Sequence, residues 1–196
     1  MLTDFKKNMT ASELAKLSDN ELVNLVLSGD SSRFYAVLYE RYYPKVLDKS
    51  FSLVKNKHIA EELSRDILSK AFEKLSGFKQ LSSFSSWIYS ITYNHCIDYL
   101  REKKKLHYPE WNRDNELPEI IDEEETLNDI NYEKLLIVLE KIHPEEKALI
   151  LMKYQDNLSL RQIGTALRIS EDAVKMRLKR ARTRLIYLYS HFFLRD

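Results

Sequence analysis

A single cysteine, Cys96, stands among 196 residues, so no internal disulfide can form and stability must come from an ordinary packed core. A reducing, cytoplasmic setting is expected. Glycine is confined to Gly29, Gly77 and Gly164, and proline to Pro44, Pro109, Pro118 and Pro144. Such scarcity excludes turn-rich architectures and leaves long uninterrupted segments. No run approaches the roughly 18 apolar residues of a membrane span. The start, MLTDFKKNMTASEL, lacks the apolar centre of a signal peptide. His58, His95, His107, His143 and His191 show no metal-ligand spacing, and one cysteine makes no zinc cluster. There is no GxxxxGK phosphate loop. No metal and no cofactor are expected, and catalysis is the least supported class. A large net charge is missing too, since the formal total is +1.

That total conceals segregation. From Leu160 to Leu185, eight basic residues stand against two acidic ones; from Leu106 to Ile130, nine acidic residues stand against one basic. Separated charge points to parts with different partners. Apolar residues recur at helical spacing, with no convincing alternating strand. The expected fold is all-α: two small helical domains joined by a flexible acidic linker. Residues 1–17 read as a loose leader, 18–105 as the first domain, 106–130 as the linker and 131–196 as the second domain.

In the first domain, Ser18 with Glu21 forms a capping box before Leu22, Leu25 and Val26. A helix carrying Phe34, Val37, Leu38 and Tyr42 is expected to end or kink at Pro44. Ile59, Leu63, Ile67, Ala71 and Leu75 recur every four residues, opposite Glu61, Glu62, Arg65 and Asp66. A solvated face is the plain reading of those charges. After Gly77, the stretch FKQLSSFSS leads into a long helix ending in Arg101, Glu102, Lys103, Lys104 and Lys105. Phe78, Phe84, Trp87, Tyr89 and Tyr93 are interleaved there with Lys79 and the terminal cations. Aromatics among cations suit single-strand recognition by stacking and phosphate contact; core packing is the alternative, above all for Trp87.

In the second domain, Pro144 fits the first position of a helix. Ser159 with Gln162 forms another capping box, opening a helix that buries Leu160, Ile163 and Leu167. Ser170 is a suitable N-cap for a last helix whose apolar edge runs through Val174, Leu178, Ala181, Leu185 and Leu188. A short helix, a tight turn and a basic second helix fit a helix-turn-helix in the major groove. Glu171, Asp172, Lys175 and Met176 are then nearest the base edges, with Ser170 at the same duplex-facing end of the helix. Arg177, Lys179 and Arg180 are candidates for phosphates. The plain alternative is a helical hairpin with a solvated basic face.

Two blocks resemble a known family. IAEELSRDILSKAFEKLSGF with FSSWIYSITYNHCIDYLREKKK is similar to region 2 of the extracytoplasmic-function group of bacterial sigma factors. LEKIHPEEKALILMKYQDNLSLRQIGTALRISEDAVKMRLKRARTRL is similar to region 4. The resemblance implies an alternative sigma factor that binds RNA polymerase core and directs promoter recognition, local melting and initiation. Glu61, Glu62, Arg65 and Asp66 would meet the clamp helices of the largest subunit. The loop from Phe78 to Ser86 and the following helix would hold the non-template −10 strand. The C-terminal unit would read the −35 duplex, with part of its surface on the flap of the second-largest subunit. An anti-sigma factor or a recruiting factor is a further partner that the resemblance allows. The family usually carries Ala where Gly164 stands and Gly where Arg168 stands, so Arg168 is expected to take up a glycine's conformation. A two-domain repressor, or an interaction protein with decayed DNA contacts, are the alternatives.

Overall fold

The computed structural model describes residues 10–29, 31–103 and 131–194, and every regular element among them is helical. In chain order these are α1 (Ala11–Lys16), α2 (Asp19–Leu27), α3 (Ser31–Val54), α4 (Lys57–Glu73), α5 (Phe84–Lys103), α6 (Tyr132–Leu139), α7 (Pro144–Ile150), α8 (Leu160–Leu167) and α9 (Glu171–Phe193). The chain divides into two compact units between His95 and Cys96. The expected acidic linker, 106–130, lies outside the described residues.

In the first unit α2 and α4 pack on α3. Leu22 and Val23 of α2, Phe34, Leu38 and Val46 of α3, Ile67 and Leu68 of α4, and Ile88 and Tyr93 of α5 supply its core. The Ser18 hydroxyl accepts from the Glu21 amide at 3.3 Å while the Glu21 carboxylate accepts from the Ser18 amide at 2.8 Å. This capping box starts α2 as the sequence requires. Two expectations need correction. Part of the supposed loose leader is helical: Thr10 and Glu13 form a second capping box, and Leu14 is buried. Of the two outcomes expected at Pro44, the ending is excluded, because α3 runs through it to Val54. An interior proline costs about 3 kcal/mol through one lost hydrogen bond and a ring clash. Here Phe34, Leu38, Tyr42 and Val46 bury the same edge on both sides of it, and that burial outweighs the defect.

In the second unit α7 and α8 pack on α9, and α6 lies along its far part. Pro144 occupies the first turn of α7. The chain then widens into a π turn over Leu151–Gln155, and Asn157 takes a positive φ of 54° before the Ser159–Gln162 capping box opens α8. Arg168 ends α8 in the left-handed region, at φ 57° and ψ 44°. The same turn explains Gly164, because a Cβ there would stand 2.7 Å from the Ile169 carbonyl oxygen. The two departures from the family pattern are therefore one local solution. A side chain is carried at the left-handed position, and its absence is required one turn earlier.

The buried edge of α9 begins at Val174, Leu178 and Ala181 but continues through Ile186 and Tyr189, not through Leu185 and Leu188. Beyond Ala181 the helix packs on α6, and the Tyr189 hydroxyl accepts from the Asn131 amide at 2.9 Å.

Candidate nucleic-acid interface

Three surfaces were expected from sequence. The first is the outer face of α4. Its inner face, Ala60, Leu63, Ile67, Leu68 and Ala71, is buried on α3, which leaves Glu62, Arg65 and Asp66 exposed and Glu61 half-buried. Asn56 caps the helix by accepting from the Ile59 amide at 3.1 Å. His58 Nδ1 lies 3.6 Å from Glu62 Oε1, an exposed contact of little energetic weight. The face is polar and solvent-facing.

The second is the loop after Gly77 together with α5. Phe78 and Phe84 are buried at the loop's two ends, packing on one another with centroids 5.6 Å apart. Trp87 closes the cluster at 5.2 Å from Phe78 and 5.5 Å from Phe84 and keeps partial exposure. Tyr93 is fully buried. Phe78, Phe84 and Tyr93 therefore have no free ring face for a base in this state. They anchor the loop, and the residues presented to solvent are Lys79, Gln80, Leu81 and Ser83. Leu81 is 90% exposed at the tip, and Gln80, at φ 54°, donates to the Asn24 side chain at 2.8 Å. Arg101 lies 3.8 Å from Asp98 and, within the second unit, 2.8 Å from Glu145. Lys103 is exposed and pairs with Glu102 at 3.5 Å, and Lys104 lies outside the described residues.

Trp87 and Tyr89 do not share a face. Residues two positions apart on a helix are turned about 200° from one another, so these lie on opposite flanks of α5. The Tyr89 flank holds a cation that sequence reasoning missed. Lys49 of α3 is buried, with Nζ 4.3 Å over the Tyr89 ring, 5.5 Å over the Tyr93 ring and 3.4 Å from the Tyr93 hydroxyl. Lys45, one turn earlier, lies 5.0 Å over Tyr42. The four-residue spacing of these lysines within an aromatic-rich helix was the available signal.

The third surface is the α8–turn–α9 unit. The Ser170 hydroxyl accepts from the Ala173 amide at 3.1 Å, fixing the start of α9. Glu171, Asp172, Lys175, Met176 and Lys179 are exposed on one side of the helix. Lys175 Nζ is 3.3 Å from Asp172, an exposed pair that a ligand can readily displace. Arg177 points elsewhere. It contacts the buried Glu145 of α7 at 3.2 Å, and two turns on Arg184 contacts the buried Glu146 at 3.1 Å. These pairs lock α9 on α7. Burial pushes the Glu146 carboxyl above its ordinary range, opposed by the Arg184 guanidinium. Arg180 is half-buried. Sequence reasoning placed no structural role on Glu145 and Glu146; their position just after Pro144, in the first turn of a short apolar helix, was the clue.

Among the described residues no helix is long and apolar enough to cross a membrane, and no group of His, Cys, Asp and Glu is arranged to hold a metal ion.

Residues 38–106 match Sigma-70 region 2, and residues 132–185 match Sigma-70, region 4. ECF RNA polymerase sigma factor SigW of Bacillus subtilis is 28% identical over 177 residues, covering 83% of this chain and 92% of its own. RNA polymerase sigma factor YlaC of the same organism is 26% identical, covering 76% and 87%. Among solved structures, CnrH in complex with the cytosolic domain of CnrY aligns with 89% of this chain and 98% of its own, at a TM-score of 0.58 and 20% identity. The sigma factor RpoE in complex with the anti-sigma factor NepR from Bartonella quintana aligns with 73% and 88%, at a TM-score of 0.50 and 18% identity. Those structural likenesses are of fold. With region 2 and region 4 both present, in that order and over most of the described helices, the chain belongs to the extracytoplasmic-function group of the sigma-70 family.

Proposed function

We propose that the chain is an alternative sigma factor that binds RNA polymerase core and directs promoter recognition, local DNA melting and transcription initiation. The observation that carries this reading is the presence, in one chain, of both sigma regions, and two surfaces of different chemistry support it. One is an anchored loop and helix bearing cations and a partly exposed tryptophan. The other is a helix-turn-helix with a free, polar recognition face.

The division of labour follows from the chemistry. Extracting a base from a duplex costs a few kcal/mol. A protein without nucleotide hydrolysis offsets that cost only by binding the open strand. The loop from Lys79 to Ser83, with Trp87 behind it, supplies polar, cationic and aromatic contacts for such a strand. The face of α9 from Glu171 to Lys179 suits duplex, with Lys175 donating to guanine and the carboxylates accepting from cytosine N4. The exposed Glu62, Arg65 and Asp66 of α4 would meet the clamp helices of the polymerase largest subunit, and part of the second unit would meet the flap.

The test is reconstitution with purified core, followed by mapping of transcript 5′ ends on genomic DNA. Core binding at moderate salt and discrete start sites that depend on the chain are expected. A chain that binds duplex tightly without core, or that leaves the pattern of starts unchanged, would sink the reading.

A further inference from the structure

Arg168 occupies the tight turn between α8 and α9 in the left-handed conformation that glycine adopts freely. Packing gives no reason for its side chain, which is 72% exposed. Its one ion pair among the described residues, with Asp98 at 3.4 Å and within the second unit, is long and open to water, so it holds the guanidinium weakly. Ser170, the N-cap of the recognition helix, follows two residues later. Arg161, in the first turn of α8, and Thr165, one turn on, are also exposed. Arg161 and Thr165 are four apart and so share one edge of α8, and Arg168 follows directly at the helix's C-terminal cap. From Arg161 to the end of α8 the helix runs about 9 Å. In a helix-turn-helix the first helix crosses the DNA backbone while the second enters the groove.

We infer that Arg161 and Arg168 form a phosphate grip on duplex DNA, separate from the base-reading face of α9, and that Arg168 is the member for which the turn accepts a strained backbone. The inference rests on the −35 reading above and extends it to a surface outside the recognition helix. Such contacts strengthen binding uniformly across sequences and release counterions, so they appear in the salt dependence of affinity rather than in base preference.

The decisive variant is Arg168→Gly, because it removes the guanidinium and relieves the backbone together. The full chain, reconstituted with core, is titrated against a double-stranded fragment carrying the upstream half of the promoter mapped with the wild type. The thermal midpoint is expected to be unchanged or raised, while affinity falls about three- to tenfold and the salt slope drops by about one ion. Arg168→Lys is expected to keep most of the affinity and the slope, and Arg161→Ala to repeat the loss. An Arg168→Gly chain with wild-type affinity and slope overturns the grip while leaving the sigma reading intact. A loss of core affinity at unchanged DNA slope also overturns it, in favour of a protein contact. If the wild type itself yields no core-dependent start sites, the sigma reading has failed first and the grip falls with it.

Discussion

Single side chains in this molecule carry effects out of proportion to their size. Gly164 is the clearest: with the Ile169 carbonyl 2.7 Å from where a Cβ would sit, backbone has to move to admit even alanine. Gly164→Ala is expected to cost about 1–3 kcal/mol, against the usual gain from that exchange in a helix. A circular-dichroism melt with a raised or unchanged midpoint would refute this. Glu21 is the second case. Its carboxyl is held below its ordinary value, first by the Ser18 hydroxyl and then by the Ser18 amide. A depressed carboxyl contributes stability above its unfolded value and loses it as pH falls through the folded one. An NMR titration should place Glu21 below 4.5, and Ser18→Ala should return it toward that value. An unmoved Glu21 in the variant would assign the shift elsewhere.

At the scale of elements, ends were more legible in sequence than surroundings. Ser18 with Glu21, Ser159 with Gln162, and Pro144 each marked a helix start, because capping is a contest among a few neighbouring groups and local spacing decides it. Thr10 with Glu13 obeys the same rule, although the helix it opens is only six residues long. Pro44 misled because its local penalty is real, while the burial that outweighs it comes from α2, α4 and α5. The same limit applies to the aromatic loop. Phe78 and Trp87 carry equal local signals, yet only packing separates a buried anchor from a partly exposed ring. Arg177 and Lys179, two residues apart, divide between a buried carboxylate and open solvent for the same reason.

The α7–α9 lock gives a prediction at this scale. Glu146 is 1% exposed at its side chain, and Arg184 retains 26%. Removing the cation with Arg184→Leu is expected to cost about 2–4 kcal/mol at neutral pH, toward the lower side for a buried pair because Arg184 is partly in water. Burial already raises the Glu146 carboxyl, so its contribution to stability is present at low pH and declines as pH rises through its folded-state value. The variant should therefore recover part of its loss on acidification, and Glu146→Gln in the same background should recover it at neutral pH. Equal losses at pH 5 and pH 7 would show that the carboxylate's charge is not the cause.

For the whole molecule, two separate DNA surfaces predict two separable defects. Lys175→Ala should weaken initiation on duplex promoters and should not be rescued by a template already open around the start site. Trp87→Ala should be rescued by that template, since its proposed role lies in holding the melted strand. Both outcomes are read as transcript yield on closed and pre-opened templates. If the bubble rescues Lys175→Ala as well as it rescues Trp87→Ala, the division is wrong. The all-helical fold in two units was readable from periodicity and charge. The opposite placement of Trp87 and Tyr89 follows from helical geometry once a continuous α5 is established, whereas Lys49 beneath Tyr89 needed the packing of α3 on α5.

The hydrogen bond from the Asn131 amide to the Tyr189 hydroxyl has a consequence during synthesis. Its partners are 58 residues apart, and α6 emerges from the ribosome well before the helix that completes its packing. At 5–20 residues per second, roughly 3 to 12 s separate them. The nascent chain is therefore expected to carry α6 for seconds before the part of α9 that covers it, so translation speed between them sets how long the apolar side of α6 stays open.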